Sequence, residues 1–173
     1  MSATVDFASI DGLRAAGFEG FSSFADLDGS RCTEVPVARG VYVVLRTSEA
    51  PPRFMPRSSA PHWRGMNPSV AIEALLEKWV QGAIVLYIGE AGGSGVRGQL
   101  QQRIKRRLRF AKGASVGAWG GRYLWQLADA RSLRFAWKPC DDPKQEEAGL
   151  LAAFTVRYGT LPFANLQTEQ AEE

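Results

Sequence analysis

The chain holds a single histidine, His62, among 173 residues. Mechanisms that need a histidine pair are therefore excluded, HExxH metalloproteases among them, and a Ser-His-Asp hydrolase is disfavoured. Cysteine is nearly as scarce. Cys32 and Cys140 stand far apart, neither belongs to a C-x-x-C, and so neither a disulfide framework nor a zinc knuckle is expected. No apolar run approaches the roughly 18 residues of a membrane span, and residues 1–10 have no basic n-region or long apolar core. The expectation is a cytoplasmic protein with no membrane partner.

Acidic residues are missing from the middle of the chain. Residues 1–34 carry six acids against Arg14 and Arg31, and the tail adds Glu169, Glu172 and Glu173; residues 35–165 carry nineteen basic residues against nine acids. A formal charge of only +3 conceals this segregation. A positive body favours a polyanionic partner, nucleic acid first, because phosphate contacts release condensed counterions. Hydrophobic content of 45% and a mean hydropathy of −0.18 suit one globular domain that folds without disulfide or metal.

Residues 84–110 organise the rest. An apolar β-branched run ends at Tyr87-Ile88-Gly89, a glycine-rich turn follows, and a helix then places Leu100, Ile104 and Leu108 on one stripe. Arg103, Lys105, Arg106, Arg107 and Arg109 are expected on its flanks and outer face. Lys105, Arg106, Arg107 and Arg109, with Arg97, Lys112 and Arg122, form the candidate nucleic-acid-binding set. Residues 93–98 fit G-x-G-x-x-G, which raises a nucleotide-binding redox domain. However, no acid lies in residues 113–123, about 20 residues on, where a ribose partner is expected. A phosphate-binding lysine loop fails as well, since no Gly-Lys-Ser/Thr follows. The remaining reading is a phosphodiester site served by a strand-end tyrosine and a helix arginine.

Around this stretch the pattern predicts a short helix near Leu13 and then Phe18, Phe21 and Phe24 as a lid on the core. A strand follows over 41–46. Residues 47–68 hold five prolines together with Arg53, Arg57, His62, Trp63 and Arg64, an irregular excursion whose basic and aromatic mix could grip a nucleic-acid strand. Ser69 to Gln81 is predicted helical, capped by Ser69 and closed by Gly82. Leu133, Phe135 and Trp137 alternate on a strand ending at Pro139. Asp142-Pro143 caps a last helix with Leu150, Leu151, Phe154 and Tyr158 on its stripe, stopped by Gly159.

Gly40-Val41-Tyr42 on one strand, Tyr87-Ile88-Gly89 on the next, Arg103 on the following helix, Glu147 on a later helix and Asn165 after a proline: this ordered set resembles the GIY-YIG nuclease family. The resemblance covers residues 38–166. It implies an α+β fold with a small three-stranded antiparallel sheet, strands at 41–46, 84–88 and 132–138, flanked by helices. An N-terminal extension (1–37), an inserted loop and helix (47–82) and a polar tail (167–173) complete one domain.

The resemblance also implies metal-dependent DNA cleavage, with Mg²⁺ or Mn²⁺ as cofactor and DNA as partner. Tyr42 and Tyr87 take the places of the two motif tyrosines and Arg103 that of the helix arginine. Glu147 heads a Glu-x-x-Leu-Leu that resembles the metal helix, Glu146 being the near alternative, and Asn165 closes the set. In this reading Tyr42, with an unperturbed pKa of about 10, is the general base, and Tyr87 orients the water or phosphate. Arg103 clamps phosphoryl oxygens, Glu147 holds the metal, and Asn165 positions the metal shell or the last helix. Three departures stand out: the long span between the two tyrosine motifs, Glu90 where many members have lysine, and Arg107 where several have tyrosine or histidine. They motivate a second reading, a nucleic-acid-binding module of the same fold without turnover.

Overall fold

The computed structural model describes residues 4–92 and 99–166. The glycine turn 93–98, Arg97 within it and the tail after Leu166 lie outside the described residues. At the centre runs β2 (Gly40–Leu45), six consecutive buried residues paired antiparallel on both sides, with β3 (Val85–Ala91) and β4 (Arg134–Pro139). A strand buried on both faces must be apolar along its whole length, which GVYVVL is. Its residues alternate between two cores: Val41, Val43 and Leu45 enter one, Tyr42 and Val44 the other.

The sheet has four strands in the order β1-β4-β2-β3, not the expected three. The fourth, β1 (Glu19–Ser23), comes from the N-terminal extension and covers the outer edge of β4. Phe21 is thus sheet as well as lid. The strand has no alternating signature because a bulge between Gly20 and Ser22 throws Phe21 to φ +56°. Gly20 is required there, since a side chain would run into the ring of Trp137.

Helices fill both faces. α1 (Ile10–Ala15) and α5 (Pro143–Tyr158) pack on the Val41 and Val43 side through Leu13, Leu150 and Phe154. α2 (Phe24–Ser30) and α4 (Leu100–Ala111) pack on the Tyr42 side through Leu27, Leu100, Ile104 and Leu108. α5 begins and ends as its sequence requires: the Asp142 carboxylate accepts from Gln145 N at 3.2 Å, Pro143 opens the first turn, and Gly159 stops it at φ +78°.

The inserted helix, α3 (Ile72–Lys78), is shorter than predicted at both ends. Ser69 does not cap it; its hydroxyl accepts from Ser58 N at 2.8 Å and ties the loop to itself. Buried Gln126 fastens the insertion to the core, accepting from Val70 N at 3.0 Å and donating to the carbonyls of Val70 and Met55 at 2.8 and 3.0 Å. Phe54 and Trp79 then pack on Phe163. Among the described residues no helix is long and apolar enough to cross a membrane.

Candidate functional site

Tyr42 and Gly89 face each other across the β2–β3 ladder, and Tyr42 lays its phenol over Gly89. A Cβ at Gly89 would meet the Tyr42 Oη at 2.6 Å, so only glycine admits this ring. Tyr87 lies two residues earlier on β3, and the two ring centroids are 6.2 Å apart. Both phenols point to the α4 side of the sheet.

The side chain seen to join them is Arg107. Its Nε donates to Tyr42 Oη, its Nη1 to Gly120 O, and its Nη2 to Tyr87 Oη at 2.7 Å. The guanidinium also stands 4.5 Å from the Tyr87 ring centroid. Arg107 is 1% exposed, Tyr42 0% and Tyr87 3%, so the cluster is internal. This overturns the expectation of Arg107 as a surface contact to nucleic acid. The reason is positional: Arg107 lies seven residues after Leu100 and three after Ile104, which turns it toward the sheet. A planar fork can serve three acceptors in different directions, as a point charge cannot.

Gly120 and Gly121 close over the cluster. Gly121 has φ +79°, and a Cβ there would stand 3.2 Å from both Arg107 Nη1 and Tyr87 Cε1. The glycine-rich 113–121 connection thus lets the backbone approach the guanidinium closely.

Asn165 grips the tyrosine-bearing strand. Its Oδ1 accepts from Ile88 N at 2.9 Å and its Nδ2 donates to Ile88 O at 3.0 Å, while Ala164 N donates to Leu86 O at 2.8 Å. The amide therefore holds the backbone between Tyr87 and Gly89, where the expectation was the metal shell or the last helix. Arg103, half-buried, lies one turn before Arg107 on the same flank of α4.

Glu147 arrives from the other layer. α5 packs on the opposite face of the sheet from α4, so the carboxylate does not share the face of the phenols. It is half-buried on the stripe that carries Pro143, Leu150 and Phe154, the stripe turned to the sheet. The two layers meet at the end of β3. Tyr42 covers Gly89 from one side, and from the other a Cβ on Gly92 would meet Pro143 Cβ at 3.2 Å and Glu90 Oε2 at 2.8 Å. Glu146 points elsewhere: its Oε2 accepts from Lys138 Nζ at 3.0 Å, beside a cavity of about 780 Å³ between α1 and α5.

The remaining cations divide. Lys105, Arg106 and Arg109 line one cleft on the outer side of α4, as expected of a basic face. Lys112 instead donates to Asp28 Oδ1 at 2.6 Å, with Arg131 3.7 Å from the same carboxylate. The Lys112 bond holds the Asp28 carboxyl below its ordinary 3.8. Arg122 lies over the Trp119 ring at 4.4 Å and donates to its carbonyl at 3.3 Å. Those two are committed within the protein.

Comparison with protein-family models, with curated proteins and with solved structures gives no match in any of the three, so the family resemblance rests on the residues described above.

Proposed function

We propose that this protein is a divalent-metal-dependent DNA endonuclease of the GIY-YIG type, its sheet being the three-stranded arrangement of that family with β1 added. The observation that carries the reading is the convergence of Tyr42 and Tyr87, from adjacent strands far apart in sequence, on the single guanidinium of Arg107. Phenols so held are preorganised next to a positive charge that stabilises an oxyanion. Tyr42, as phenolate, would take the proton of the attacking water while Tyr87 orients it. Arg107 is then a positioning residue, and Arg103, half-buried one turn away on α4, is the arginine assigned to phosphoryl oxygens by the family resemblance.

Glu147 fits a hard cation. It is a half-buried oxygen donor, and a second carboxylate, Glu90, lies against the same glycine as the first turn of α5. Mg²⁺ and Mn²⁺ accept one or two carboxylates and fill the remaining positions with water and phosphate oxygen. Such an ion, held by Glu147, supplies Lewis-acid polarisation of the phosphoryl group. Asn165 keeps β3, and with it Tyr87, in register.

The burial of the tyrosine cluster favours a second reading. With Tyr42 at 0% exposure, the same residues serve equally as the keystone of a binding module without turnover. Incubation with plasmid and oligonucleotide DNA in Mg²⁺ or Mn²⁺ separates the two. Cleavage that Tyr42→Phe slows by orders of magnitude supports the nuclease, and salt-sensitive binding without cleavage supports the module.

A further inference from the structure

The outer face of α4 is not a flat basic surface. The insertion folds back over it and closes a cleft of about 420 Å³, within the roughly 300–1,000 Å³ of sites that hold small ligands. Its walls include Arg64 and Trp63 from the insertion and Lys105, Arg106 and Arg109 from α4, and among the described residues no carboxylate lines it. Trp63 and Arg64 are presented by a tight turn: Trp63 N donates to Met66 O at 3.0 Å and Met66 N to Trp63 O at 2.9 Å. Between them Arg64 and Gly65 take φ +51° and +78°. A left-handed backbone is unfavourable for an arginine. This one is held with its guanidinium 5.3 Å from the Trp63 ring centroid and at the mouth of the cleft. Arg64, Lys105 and Arg109 gathered around one concavity favour an anion there. On a helix of 3.6 residues per turn, the lining face of Arg106 and Arg109 adjoins the flank of Arg103, so the cleft continues the basic path from the tyrosine cluster.

We propose that this cleft seats one unpaired nucleotide of the bound DNA strand, its phosphate on Arg64, Lys105 and Arg109 and its base against Trp63. The inserted segment is then a strand clamp that makes single-stranded or flapped DNA the preferred substrate. The proposal rests on the DNA reading of the basic face, and stacking is the sequence-tolerant way to hold an unpaired base.

The test is binding of the full-length chain to a fluorescein-labelled single-stranded oligodeoxynucleotide and to its duplex, by anisotropy in EDTA across a salt series, beside a cleavage assay in Mg²⁺. Arg64→Ala with Arg109→Ala is expected to flatten the single-strand salt slope by about 1.4, roughly 0.7 per lost phosphate contact. Trp63→Ala is expected to weaken single-strand binding about ten-fold and to leave duplex binding nearly unchanged. Arg157→Ala, an exposed cation on α5, removes charge far from the cleft and should do neither. The proposal is overturned if the double variant keeps the wild-type slope, if Arg157→Ala flattens it as much as a cleft cation does, or if Trp63→Ala binds the single strand normally. Cleavage with an unchanged variant slope sinks the clamp and spares the nuclease. The expected binding losses without any cleavage sustain the clamp and sink the nuclease.

Discussion

Arg107 has the most to lose by conservative replacement. Arg107→Lys keeps the charge but gathers its donors on one nitrogen, whereas Tyr42, Tyr87 and Gly120 are each met by a different guanidinium nitrogen, so their donors are not all replaced in a buried setting. The expected cost is about 2–4 kcal/mol, read as a lower melting temperature, together with loss of any cleavage. The signal for its burial was present in the sequence, because Leu100, Ile104, Arg107 and Leu108 fall on one helical stripe. It was hidden because arginine is a surface residue by default and only the partner phenols, distant in sequence, reverse that. Asp28 was likewise invisible as the acceptor for Lys112. Its carboxyl is held low, so the tie between α2 and α4 is fully present above the ordinary 3.8 and is lost as pH falls below it. Asp28→Asn frees Lys112 and should steepen the salt dependence of DNA binding by up to about 0.9 on duplex; an unchanged slope would mean that Lys112 faces no phosphate. Burial pushes the Cys32 thiol up to about 11, so alkylation near pH 8 followed by mass mapping should label the half-exposed Cys140 first.

At the scale of elements, β3 depends on clamps from outside the sheet. Asn165→Ala strands the Ile88 amide and carbonyl at once, which should cost about 2–3 kcal/mol, or roughly 5–10 °C in melting temperature. Asn165→Asp keeps an acceptor for Ile88 N but turns a carboxylate oxygen on the Ile88 carbonyl, so it should lose at least as much, whereas a wild-type melting temperature in either variant would place the effect elsewhere. Gly121→Ala pairs an unfavourable left-handed φ with a Cβ 3.2 Å from Arg107 and Tyr87. It should disturb the cluster without touching it chemically. The strands carrying Tyr42, Tyr87 and Trp137, the caps of α5 and the stripe of α4 were legible because each is written in local periodicity and turn chemistry. β1 was not, since its bulge breaks alternation and its partner lies more than a hundred residues away. Nor was the start of α3, where the serine expected as a cap is taken by a loop amide.

Over the whole molecule, charge and architecture divide together. The acidic N-terminal segment supplies β1 and α2, which complete the sheet and neutralise one end of α4 through Asp28, while Lys105, Arg106 and Arg109 line the cleft on the outer side of that helix. Glu147 lies on α5, in the layer opposite the phenols, so the metal assignment does not follow from the tyrosine cluster and each needs its own test. The two assignments fail independently. The most direct measurement is metal-dependent cleavage of a panel of single-stranded, duplex and junction DNAs by the wild type and Glu147→Ala, with melting curves for both. The account predicts cleavage by the wild type in Mg²⁺ or Mn²⁺ and none by Glu147→Ala at an unchanged melting temperature. Wild-type-like cleavage by the folded variant, or no cleavage of any substrate by either protein, would contradict it.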